Sequence, residues 1–302
     1  MIFIESLLSH AGLLNALTVQ PSVACINTTR PIYLVFGDNS EHPLYVIRKV
    51  DDERGLKSSQ VDRSIHQLAG NLVPAPLGIY EFNGETYDIQ CGVSGYPWFQ
   101  LKARVQTGEA RSQIENRMWQ SLDDFHTAVG AAQTDGAVMV EPHIELQKAL
   151  SAYRSTGEKI TDRLQTLTEE ASQELFYSPN CSPVPQHGDF CLNNLIIDKV
   201  HITVIDFEDF EITKMPLYDA FTLALTLPSF DNTPENAAQV FTHPAVINAA
   251  SLYGVPETAI RWHFLHHLLL RLGPWSAGEK RGRYRAWLRK VLDKFVDDQV
   301  KS

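Results

Sequence analysis

Hydrophobic and polar positions change period more than once along the chain. The opening MIFIESLLSHAGLLNAL spaces its apolar residues as an amphipathic helix does. Runs at 22–30, 31–37 and 43–50, rich in Val, Ile, Tyr and Thr, are separated by Asn-Thr-Thr and Gly-Asp-Asn-Ser, which predicts an antiparallel meander. Val61, Ile65, Leu68 and Ala69 then recur at helical spacing, placing a helix at 58–69 that Gly70-Asn71 stops. Strands at 73–82 and 86–91 follow, joined by Asn83-Gly84, the pair that two-residue hairpins favour. Past Gly92-Val93-Ser94-Gly95 the period becomes helical at 112–128, 144–155 and 161–175. Short strand-like runs return between 183 and 210. Helices then fill the rest, including an apolar one at 262–272 and a basic amphipathic one at 280–294.

Composition narrows the partners more than the fold. At 302 residues and 44% hydrophobic content the chain can bury a core as one large domain or two lobes. A net charge of -10 argues against a nucleic-acid partner, since phosphate-backbone binders carry a basic balance or patch. Cys25, Cys91, Cys181 and Cys191 are far apart and form no CxxC pair, so free thiols are expected in place of a zinc site or disulfide framework. Glu5 and the lack of a basic start speak against a signal peptide. No apolar run approaches the roughly 20 residues that span a bilayer. The expectation is a cytoplasmic protein without membrane insertion.

The chemistry concentrates in HGDFCLNN, residues 187–194, and VIDFED, residues 204–209. Asp189 and Asn194 stand at the two ends of a tight loop, Leu195-Ile196-Ile197 resumes as a strand, and the strand at 201–205 delivers Asp206 at its end. Phosphoryl transfer from ATP needs such a rigid platform, because its transition state is mostly charge to be neutralised and geometry to be held. Protein kinases place an Asn five residues after the catalytic-loop Asp and a metal-binding Asp further on, the spacing that Asp189, Asn194 and Asp206 repeat. A carboxylate beside an acceptor hydroxyl can orient it and take its proton. Magnesium prefers oxygen ligands, which Asn194 and Asp206 offer.

With these motifs the chain resembles the aminoglycoside phosphotransferases and their relatives, the choline, ethanolamine and homoserine kinases of the same fold. Leu122-Asp123-Asp124-Phe125-His126 looks like that family's Leu-x-x-Leu-His helix, Val73-Pro74-Ala75-Pro76 like its Val-Pro-x-Pro, and Pro216-Leu217-Tyr218-Asp219 like its Pro-x-x-Asp-Leu segment. The order of three strands, a helix and two strands is that of a kinase amino-terminal lobe. The resemblance implies an α+β, two-lobed, protein-kinase-like fold, with an antiparallel-sheet lobe at 1–92 for nucleotide and a mainly helical lobe at 93–302 for catalysis and acceptor. It implies ATP and Mg2+ as cofactors, Asp189 as the catalytic aspartate, His187 as a residue ordering its loop, Asn194 and Asp206 as metal ligands, and Asp219 as a brace.

The phosphate-gripping cation falls on Arg48 or Lys49. Strand side chains alternate, so one faces the nucleotide and the other solvent. Arg48 is favoured because Val46 and Val50 share its face. The family's helix glutamate, which pairs with this cation, is replaced by the Gln60-Val61-Asp62 region, with Asp62 the nearest substitute. Asn27-Thr28-Thr29 stands where the family has glycines. Adenine is expected on backbone groups of Gln90, Cys91 and Gly92. Glu208 and Asp209 could touch metal or a cationic acceptor, or lie on the surface.

The function expected is transfer of the ATP γ-phosphate to a hydroxyl of a small molecule such as an amino alcohol, sugar or aminoglycoside. Trp98, Trp262, His263, His266, Trp275 and Tyr284 are candidate acceptor contacts, with core packing the ordinary alternative for each. The competing class is a nucleotide-binding pseudokinase with a scaffold role, motivated by the missing helix glutamate and the glycine-free loop. A Ser/Thr protein kinase is disfavoured because no Ala-Pro-Glu follows Asp206.

Overall fold

Strands of six or seven residues build the first sheet. The structure is a computed structural model that describes residues 2–14, 21–27, 31–38, 40–131, 138–278 and 281–301, the side chains of Asn27, Arg54 and Lys301 aside. Helix α1 (Ile2–His10) precedes β1 (Ser22–Asn27), β2 (Pro31–Phe36), β3 (Tyr45–Val50), α2 (Glu53–Ala69), β4 (Pro76–Phe82) and β5 (Glu85–Cys91). The five strands pair antiparallel in the order β1-β2-β3-β5-β4. One face buries Val35, Tyr45, Ile47, Tyr87 and Ile89 against Ile4, Leu7 and Leu8 of α1. Alternation therefore turns Val46, Arg48, Asp88 and Gln90 to the opposite face.

Helix α2 begins earlier than the apolar spacing predicts. Asp52 caps it, its side chain accepting the Gly55 N–H at 2.7 Å, and Glu53 sits favourably in the first turn. A capping acid extends a helix ahead of its buried face, so periodicity alone starts it too late. The β4–β5 turn is as expected: Asn83 and Gly84 both take positive φ, 54° and 77°.

Contacts divide the described chain into two units: Met1–Gln106 with Asn193–Glu208, and Thr107–Leu192 with Asp209–Ser302. The division differs from an expected boundary at 92/93 because β6 (Tyr96–Pro97) pairs with β7 (Leu195–Ile197), and β7 pairs with β8 (Ile202–Val204). Those hydrogen bonds tie residues past the hinge, together with α3 (Trp98–Leu101), into the first unit. The β7–β8 turn is closed by Asp198, whose Oδ1 accepts the N–H groups of Val200 and His201.

The second unit is helical. It comprises α4 (Gly108–Gly130), α5 (Pro142–Ser155), α6 (Asp162–Tyr177), α7 (Tyr218–Thr226), α8 (Pro234–Ala237), α9 (Pro244–Leu252), α10 (Glu257–Arg271) and α11 (Gly282–Lys301). Helix α10 is buried nearly all round, as a central helix must be, and packs against α5, α6, α7, α9 and α11. Phe264 at its middle lies 5.1 Å from Phe221 and 5.6 Å from Phe295 between ring centroids. An antiparallel-sheet part and a mainly helical part make this the α+β, kinase-like class expected. Among the described residues no helix is long and apolar enough to cross a membrane.

Candidate active site

The first unit holds a cation and two metal-competent groups. Arg48 and Lys49 do point apart. Lys49 reaches Glu85 at 2.6 Å and Asp51 at 3.2 Å on the outside. Arg48 pairs with Asp62 of α2 and with Asp88, its cross-strand neighbour on β5. Burial works against the Arg48 charge, but the two carboxylates outweigh it and hold the guanidinium more firmly protonated than usual. Asp62 thus ties α2 to the cation of β3. Asp88, 2% exposed, escaped the sequence reading; its signal is an acid on the face opposite Tyr87 and Ile89, legible once the β3–β5 register is known.

Arg48 and Asp62 line one cavity with Val73, Pro74, Gln90, Ile205, Asp206 and Phe207. Asp206 follows β8 with φ 69°, a left-handed conformation rare outside glycine and concentrated at functional sites. The Ile205 N–H donates to the Asn194 carbonyl at 3.0 Å, which fixes the two ends of the β7–β8 hairpin beside each other. Asn194 is buried and Asp206 exposed. The oxygen donors of Asn194 and Asp206 suit a magnesium ion whose remaining ligands are phosphate and water. Among the described residues no three His, Cys, Asp or Glu side chains group into a ready-made metal cage.

The hinge backbone is partly committed elsewhere. The Cys91 N–H donates to the Ala75 carbonyl at 2.8 Å and the Gly92 N–H to the Leu44 carbonyl at 2.7 Å, because β5 lies between β3 and β4. The N–H groups of Cys91 and Gly92 are therefore both taken within the fold. Thr28 and Thr29 of the glycine-free loop lie outside the described residues.

In the second unit, Asp219 organises the loop that carries Asp189. Fully buried at the start of α7, Asp219 accepts the His187 N–H at 2.5 Å and the Gly188 N–H at 3.0 Å. Its Oδ2 also meets His126 Nε2 of α4 at 3.1 Å, while His126 Nδ1 lies 2.8 Å from the Tyr253 hydroxyl. Gln186 Oε1 accepts the Asp219 N–H, so the brace is itself held. His187 is fully buried between the rings of Phe125 and Phe190, and its Nδ1 accepts the Asp189 N–H at 3.2 Å. Gly188 has φ 88°, and a Cβ there would lie 2.2 Å from the Asp209 carbonyl. Only glycine fits.

Beside Asp189 stands a cluster that sequence reasoning found in part. Arg271, the last residue of α10, pairs with Asp189 at 2.6 Å. Trp275 donates to Asp209 at 2.5 Å, and Tyr284 meets the Trp275 ring edge-on at 6.0 Å. Trp262, His263 and His266 are instead core: Trp262 donates to Glu174 at 2.6 Å, and His263 Nδ1 lies 3.2 Å from the Pro216 carbonyl. Trp98 starts α3 in the first unit. Arg271 was missed although a charge closing the apolar run HFLHHLLL is a signal in itself.

Comparison with known proteins bears on the family and the fold. The model of the phosphotransferase enzyme family matches residues 38–245. No curated protein matches the chain in sequence. Among solved structures, the chain is similar to a candidate aminoglycoside phosphotransferase from Ralstonia eutropha JMP134, at 14% identity and TM-score 0.57, covering 98% of this chain and 97% of that one. It is also similar to a macrolide 2′-phosphotransferase from Brachybacterium faecium, at 14% identity and TM-score 0.56 over 96% and 98% of the two chains. A candidate fructosamine-3-kinase from Thermobifida fusca gives 18% identity and TM-score 0.53 over 94% and 99%. At such identities these three share a fold with the chain. The family model, however, spans well over half of the sequence, and the chain belongs to the phosphotransferase enzyme family.

Proposed function

We propose that the protein transfers the γ-phosphate of ATP, with magnesium, to a hydroxyl of a small molecule. The observation that carries this reading is the cavity of the first unit, where the doubly paired Arg48 and the carboxylate of Asp206 line one space. A held cation next to a metal-competent carboxylate is the equipment a nucleotide's phosphates require.

In this reading Arg48 takes the phosphate oxygens, with Asp62 and Asp88 keeping its fork aimed. Asn194 and Asp206 hold the magnesium, which when bound neutralises charge building on the phosphates. An N–H past Gly92 recognises the base. Asp189 orients the acceptor hydroxyl and accepts its proton as the bond from the acceptor oxygen to the γ-phosphorus forms and the bond from that phosphorus to the bridging oxygen breaks, releasing ADP. His187 and Asp219 order the loop without touching substrate, supported by their full burial and their hydrogen bonds to its backbone.

A coupled ADP-release screen over amino alcohols, sugars and aminoglycosides tests the proposal. At least one acceptor should raise ADP release above slow ATP hydrolysis. Magnesium-dependent ATP binding with no turnover on the whole panel would favour a pseudokinase instead.

A further inference from the structure

Burying a guanidinium is costly unless its charge is fully answered. Arg271 is 2% exposed. What answers it is the catalytic loop: one terminal nitrogen donates to the Gly188 carbonyl at 2.9 Å, and the other to Asp189 Oδ1 at 2.6 Å. The guanidinium carbon lies 3.8 Å from the centroid of the Trp275 ring, 5.7 Å from that of Tyr218 and 5.9 Å from that of Tyr284. Burial works against its charge, but Tyr218, Tyr284 and Asp189 hold its proton above the ordinary arginine value.

We infer that Arg271 is the positioning residue for Asp189, a fork that fixes the backbone of the loop with one arm and the plane of the carboxylate with the other. The inference rests on the reading of Asp189 as the carboxylate that meets the acceptor. Two arms on one rigid plane set both where Asp189 starts and which way its carboxylate faces. A lysine, with one compact ammonium, cannot reproduce both bonds at once. The aromatic rings around the guanidinium keep it from turning away, and Trp275 is itself held by its bond to Asp209. Asp189 keeps 22% of its side chain exposed while Arg271 is sealed, so the arginine acts on substrate only through the aspartate.

The test compares wild type, Arg271→Lys and Arg271→Ala in ADP release with an accepted hydroxyl compound. Thermal melting and ATP affinity are measured in parallel. Both variants are expected to bind ATP within about twofold of wild type and to lose kcat by on the order of 100-fold, as misplacement of a catalytic group does. Added methylguanidinium should restore part of the kcat of Arg271→Ala and none of that of Asp189→Ala, a response that a merely structural arginine does not give. If Arg271→Ala does not fold, Arg271→Lys carries the same split between kcat and ATP affinity. Folded variants with kcat within about threefold of wild type overturn the inference. So does a loss of kcat in Arg271→Ala that methylguanidinium leaves unchanged, or a failure of both variants to fold. Wild-type protein that transfers no phosphate overturns the functional reading itself; wild-type turnover with unaffected variants overturns only the role of Arg271.

Discussion

Arg48 and Lys49 are adjacent and alike in charge, yet strand alternation gives them opposite surroundings. Arg48 is half-buried between two carboxylates and lines the cavity with Asp206, whereas Lys49 makes exposed pairs with Asp51 and Glu85. A hydrogen bond to a charged group is worth about 1.5–3 kcal/mol. Arg48→Gln should therefore weaken ATP binding roughly 10- to 100-fold by calorimetry. Lys49→Ala should stay within about twofold, since exposed pairs contribute little. Equal effects of the two changes would mean that the phosphates are held elsewhere. Gly188→Ala is a second case, because its Cβ would collide with the Asp209 backbone at a φ that L-residues rarely adopt. It should lower stability by at least about 2 kcal/mol in urea unfolding.

At the scale of elements, α10 carries an electrostatic liability in its three buried histidines. Burial pushes His263 down to about 4 and His266 down to about 3, and burial, Arg271 and His266 hold His267 well below the ordinary histidine value. Each ring is neutral when folded, and on unfolding below its ordinary value of about 6.5 it gains a proton, so acid favours the unfolded chain. The contribution is fully present above about pH 6.5 and is lost as pH falls towards the folded values. Each histidine adds a slope of about 1.4 kcal/mol per pH unit in that window. Urea midpoints taken between pH 7.5 and 5 should fall steeply, and His266→Leu should make the fall shallower. A slope that His266→Leu leaves unchanged would place the acid sensitivity in other groups.

Elements were also where the sequence was most legible. The succession of three strands, a helix and two strands, the Asn83-Gly84 hairpin and the strands around the motif all follow from local pattern, because each depends on turn chemistry or alternation within a few residues. The start of α2 needed its Asp52 cap, and the pairing of β6 with β7 joins residues about a hundred positions apart, which no local pattern encodes. The same distinction runs through the site. Asp189, Asn194 and Asp206 are visible as a spacing, whereas Asp88 and Arg271 matter through partners that only strand register or helix packing brings near.

On the scale of the whole molecule, the groups of the proposed reaction are divided by kind. The first unit carries Arg48, Asn194 and Asp206, suited to nucleotide and metal; the second carries Asp189 with its bracing Asp219 and Arg271, suited to the acceptor. Such a division predicts separable defects. Asp206→Ala should abolish magnesium-dependent ATP binding in calorimetry, while Asp189→Ala should bind ATP as wild type does. The most direct test of the central claim is transfer of labelled γ-phosphate from ATP to a panel of small hydroxyl compounds by wild type and Asp189→Ala. Wild type should give a labelled small-molecule product, reduced by on the order of 100-fold or more in Asp189→Ala. Transfer that survives the loss of Asp189, or ATP binding with no labelled product from any acceptor, would contradict that claim.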